Sequence, residues 1–122
     1  MQTTSTIPDL AELVGFFECE PTLLDEGVPW FVNRLTFATV RVGVAVLARL
    51  EPAEGLFDVS LQVADEELAT AQIRALGEMR LRNERGRETL SVRFGEHHES
   101  TLWLTLKPSV RMVVEGRDGA VP

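Results

Sequence analysis

Cysteine is almost absent from this 122-residue chain, and a lone Cys19 excludes any internal disulfide framework. An unpaired thiol is consistent with a reducing compartment, so the cytoplasm is the expected location. Long apolar runs are missing as well. Val42 to Ala48, the longest uncharged apolar stretch, lies between Arg41 and Arg49 and falls far short of the ~20 residues that cross a bilayer. Met1 to Thr6 hold no basic group and lead into no apolar core, so no secretory leader is expected. Repeats are absent, and so are G-x-S-x-G, the P-loop and G-x-G-x-x-G. What remains, 44% hydrophobic and 25% charged, is the composition of one globular domain large enough to fold without a metal or disulfide staple. The expected layout is a flexible N-terminus over 1–7, one domain over 8–117 and a flexible C-terminus over 118–122.

Positive charge is the scarcer sign, with 12 Lys and Arg against 19 Asp and Glu, for a net charge of −7. Phosphate-rich and anionic lipid surfaces are repelled at long range by such a chain, so neither nucleic acid nor membrane is an expected partner. A basic protein is the easier one. The imbalance is uneven: residues 1–70 carry twelve acids against three arginines, a net of −9, and the remainder nets +2.

The first element reads as a helix. Leu10, Leu13, Val14 and Phe17 recur at helical spacing, Thr6 is placed to cap with Asp9 three residues on, and Pro21 ends the run. Beyond the turn-rich Asp25, Glu26, Gly27 and Pro29 the period falls to two. Leu35 and Phe37, then Val44 to Leu50, Phe57 to Val63, Met79 and Leu81, Leu90 to Phe94, Leu102 to Leu106 and Val110 to Glu115 alternate with polar residues, as half-buried antiparallel strands do. Leu68 to Leu76 fits a helix through Ala64, Leu68, Ala71 and Ala75, or a strand through Ala69, Ala71, Ile73 and Ala75. The strand is preferred, because on a helix Ile73 points away from the apolar face. The fold class is therefore mainly β with one N-terminal amphipathic helix (α+β), an antiparallel meander closed as an open barrel or a two-layer sandwich.

Matching apolar residues across strands sets Leu90 opposite Leu81, Val92 opposite Met79, and Phe94, Val92 and Leu90 opposite Leu102, Leu104 and Leu106. This register aligns Glu78, Arg93 and Trp103 in one outward row. A tryptophan beside arginine is typical of an interface hot spot, so the row is a candidate for self-association as a homodimer. The alternative is that the helix or a second layer covers Trp103 as core.

No catalytic residues, metal site or cofactor are expected. His97 and His98 sit in the loop from Gly95 to Ser100 beside Glu96 and Glu99, where adjacent imidazoles rarely converge on one ion. Cys19 lies between Glu18 and Glu20, whose negative charges disfavour a thiolate and make it a poor nucleophile. Glu18, Glu20, Asp25 and Glu26 cluster at the helix exit. They suit a partner-binding surface better than an acid/base pair.

Phe16 to Pro21, Leu24 and Asp25, Val28 to Trp30, and Asn33 to Phe37 resemble the opening region of small β-rich bacterial proteins, including immunity proteins of polymorphic toxin systems. There an apolar and acidic segment precedes a meander of strands. The resemblance implies a non-enzymatic, immunity-type binding function, with the acidic surface meeting a basic protein. The alternative from composition and pattern is a small-ligand or lipid carrier, its barrel lined by residues such as Phe57, Leu61 and Phe94.

Overall fold

The computed structural model describes residues 6–97 and 99–116, so the expected flexible termini lie largely outside the described residues. Among the described residues one α-helix, α1 (Leu10–Phe17), precedes nine strands: β1 (Thr22–Leu23), β2 (Leu35–Arg41), β3 (Val44–Glu51), β4 (Leu56–Val63), β5 (Glu66–Ile73), β6 (Leu76–Glu84), β7 (Arg87–Phe94), β8 (Ser100–Lys107) and β9 (Arg111–Glu115), with single 3-10 turns at Trp30–Val32 and Pro52–Glu54. Every adjacent pair is antiparallel, and the meander forms two separate sheets, β1 to β5 and β6 to β9. It is a two-layer arrangement and not a closed barrel.

Turn chemistry sets this topology. Three hairpins use two-residue turns with both central φ angles positive: Val42 and Gly43, Ala64 and Asp65, Arg85 and Gly86. Such turns match the right-handed twist of the strands they join. The change of sheet takes only Arg74 and Ala75. Ala75 has φ +56°, and the next strand is tied back by Leu76 N–H donating to the Gly55 carbonyl at 3.0 Å.

Alternation then decides the inside. Leu35, Phe37, Val46, Ala48, Leu50, Phe57, Val59, Leu61 and Ile73 from the first sheet join Leu76, Met79, Leu90, Val92, Leu102, Leu104 and Leu106 from the second in one buried cluster. Phe57 and Leu61, expected to line a ligand cavity in the carrier reading, belong to this packed core, with Phe94 against it. Helix α1 adds Leu13, Phe16 and Phe17 to the same cluster, with Phe17 stacked on Phe37 at 4.5 Å between ring centres.

Two details of the helix differ from expectation. Its cap is Asp9, not Thr6: Glu12 N–H donates to the Asp9 carboxylate at 3.0 Å while Asp9 N–H donates to Glu12 at 3.1 Å. Thr6 is instead bridged to the edge of β6, its carbonyl accepting from Met79 N–H at 2.8 Å. The helix also stops at Phe17, before Pro21, because Glu18 turns into the left-handed region at φ +57°.

Candidate functional site

Two surfaces collect the side chains of interest: the segment joining α1 to β2, and the outer face of the second sheet.

The left-handed turn at Glu18 aims its carboxylate at two cations. Arg41 Nη2 from β2 lies 3.1 Å from Oε1, an ion pair without hydrogen-bond geometry, and Lys107 Nζ from β8 lies 2.5 Å from Oε2. The Lys107 hydrogen bond and the Arg41 charge hold the Glu18 carboxyl below its ordinary value of 4.5, and Glu18 in turn raises Lys107. Glu18 thus joins the end of the helix to both sheets. Its charge is matched within the molecule.

Past β1 the chain loops out and returns at Asn33, a residue given no role by the sequence reading. Asn33 is only 6% exposed, and its Nδ2 donates to the carbonyls of Asp25 at 2.6 Å and Val28 at 2.9 Å. Its Oδ1 accepts from the backbone N–H of Asp25 at 3.2 Å and Arg34 at 2.8 Å. One buried amide therefore holds both ends of the loop. Asparagine just ahead of a strand is suited to bonding nearby backbone, and that was the available signal.

The loop so held presents a mixed surface. Asp25 turns its carboxylate onto Gly27 N–H at 3.0 Å, whereas Glu26, and Glu20 ahead of β1, are exposed and form no ion pair with any described residue. In the same loop Leu24, Phe31 and Val32 are 70%, 44% and 58% exposed. Nothing in the local pattern distinguishes these apolar residues from core, because burial is set by what packs on them.

On the second sheet, the pairing of β6 with β7 follows the expected register, Leu81 facing Leu90 and Met79 facing Val92. The pairing of β7 with β8 does not. Val92 faces Leu102, Leu90 faces Leu104 and Phe94 faces Ser100, a slip of two residues from the expected match. Trp103 therefore stands opposite Ser91 and Val113, and the row of Glu78 and Arg93 continues to Thr101 and Glu115. Glu78, Arg93 and Trp103 share the outer face but not one row. A two-residue slip leaves every side chain on its own face, so the hydrophobic pattern cannot detect it; the short Gly95 to Glu99 connection decides it.

The helix does not cover this face. Trp103 is half-buried in an open groove of about 380 Å³ with Arg82, Arg87, Thr89, Thr105, Arg111 and Val113 among its walls, and Glu84 and Glu115 also border it. Arg80 Nε donates to Glu78 at 2.6 Å, and Arg93 lies 3.9 Å from the same carboxylate.

His97 is exposed in its loop, and His98 lies outside the described residues. Among the described residues no three His, Cys, Asp or Glu side chains gather as metal ligands. Cys19 is a free thiol, partly buried against the core. No described helix is long and apolar enough to cross a membrane.

No protein-family model and no curated protein matches this chain. Among solved structures it is similar to a chain of the contact-dependent growth inhibition toxin - immunity protein complex from Klebsiella pneumoniae 342. The identity is 15%, the match covers 93% of this chain and 98% of that one, and the TM-score is 0.78. The likeness is one of fold over nearly the full length of both chains, consistent with the immunity-type resemblance at residues 16 to 37.

Proposed function

We propose that this chain is a non-enzymatic, immunity-type protein that binds and neutralises a basic toxin partner in the cytoplasm. The observation that carries the reading is the near-complete fold likeness to a chain of a toxin–immunity complex. The loop between β1 and β2 supports a place for the contact. It carries Glu26 and the exposed Leu24, Phe31 and Val32 on a backbone fixed by Asn33, and Glu20 is exposed just ahead of β1. Exposed apolar groups supply the buried area of an interface, and the carboxylates steer a cationic surface onto it. Asp25 contributes charge while capping its own turn, and Glu18 contributes by holding the helix end in position.

The test begins with capture of partners by the tagged chain in its native cell, followed by expression of the captured protein with and without this chain. A basic protein that arrests growth alone and is harmless when co-expressed is the expected result. Glu20→Lys/Glu26→Lys is expected to weaken the complex by about tenfold or more, since each change sets like charges against the partner. A captured protein without toxicity, or a complex indifferent to the double change in a folded variant, overturns the proposal.

A further inference from the structure

The observed register arranges the outer face of the second sheet in three rows, each crossing β6, β7, β8 and β9. The first is Arg82, Thr89, Thr105 and Arg111; the second Arg80, Ser91, Trp103 and Val113; the third Glu78, Arg93, Thr101 and Glu115. At both edge strands the charge reverses from the first row to the third, Arg82 to Glu78 on β6 and Arg111 to Glu115 on β9. The row between them carries Trp103 and Val113, the two apolar side chains of the face.

We infer that this face is self-complementary and pairs with a second copy of the chain about a two-fold axis lying along the middle row. Such an axis keeps each strand facing its own counterpart and exchanges the outer rows. Arg82 then meets Glu78 of the other copy, Arg111 meets Glu115, and Trp103 and Val113 close on their own equivalents at the axis. The outer-row contacts at both edge strands join opposite charges, and each occurs twice by symmetry; Arg80, on the middle row, faces its own equivalent with its charge matched by Glu78 of its own chain at 2.6 Å. Packed sheets cross at an angle of about 30°. The resulting displacement at the corners is within reach of extended arginine and glutamate side chains. Arg82, Arg111 and Glu115 have no ion-pair partner among the described residues and meet the second copy without breaking a contact within the chain, whereas Glu78 shares with Arg82 of the other copy a carboxylate that Arg80 and Arg93 already engage.

From strand spacing, four strands by three rows cover roughly 400 Å² on each copy. That lies below the ~800 Å² per partner of a standard stable interface, so the dimer is reversible and concentration-dependent. It leaves the β1–β2 loop free, and this inference does not depend on the reading of that loop.

Sedimentation of the full chain from low to high micromolar concentration tests it. A monomer–dimer equilibrium is expected, and Arg111→Glu, which sets carboxylates against carboxylates at β9, is expected to weaken dimerisation by about tenfold. The exchange Arg111→Glu/Glu115→Arg restores the opposite-sign pairs and with them the dimer. Trp103→Ala, with unchanged circular dichroism, weakens the dimer through the middle row. A chain monomeric across the whole range, a dimer insensitive to Arg111→Glu, or an exchange variant no stronger than the single change overturns the inference.

Discussion

Asn33 concentrates more of the local order than any charged residue of the β1–β2 loop. Its amide satisfies two carbonyls and two N–H groups, and truncation leaves those groups without partners in a site water reaches poorly. Asn33→Ala is expected to cost about 2–3 kcal/mol, read from urea denaturation midpoints. Asn33→Asp is expected to be no milder, because it turns a carboxylate oxygen onto the carbonyls of Asp25 and Val28. Glu18 acts at the same scale through charge. Its carboxyl is held below the ordinary value by Lys107 and Arg41, so its contribution is present above that value and lost as pH falls through the lower, folded one. Stability measured against pH is expected to drop in the acid range below 4.5 for the native chain, and more shallowly for Glu18→Gln. Lys107 has the opposite sign: its raised pKa gives stability that is lost only as strongly alkaline pH passes the folded value.

The elements differ in how plainly they announce themselves. Leu13 and Phe17 are buried as their spacing requires, yet eight residues make too short a helix to persist alone, and α1 depends on its packing. Phe17→Ala removes the ring stacked on Phe37 and is expected to cost about 3–5 kcal/mol by chemical denaturation, whereas Ala11, exposed on the same helix, tolerates substitution. Strands β4 and β7 were legible because strict alternation admits one reading. Strand β5 was harder: its inward side chains are mostly alanines, and the Ala64–Asp65 turn that precedes it has no glycine to mark the hairpin. It is a strand, as preferred, but it ends at Ile73, since the chain changes sheet at Arg74 and Ala75. The helix cap moved from Thr6 to Asp9 because Thr6 is drawn to the edge of β6, a partner distant in sequence.

At the scale of the whole molecule, the division of charge along the chain becomes a division between layers. The acid-rich first 70 residues supply the helix exit, the β1–β2 loop and most of the first sheet. The arginine-rich remainder supplies the second sheet and its outer face. Sequence alone determined the mainly β class, the position of the helix, the inward face of most strands and the acidic cluster after the helix, because each follows from local periodicity and composition. Tertiary structure decided the rest. The split into two sheets depends on a two-residue corner, and the neighbours of Trp103 depend on a register shift that preserves both faces. The exposure of Leu24, Phe31 and Val32 depends on where the core ends, and the engagement of Glu18 depends on cations 23 and 89 positions away along the chain. The first two turn on the geometry of short connections and the last two on segments distant in sequence, and periodicity carries neither, because it records only which face a side chain takes within one element.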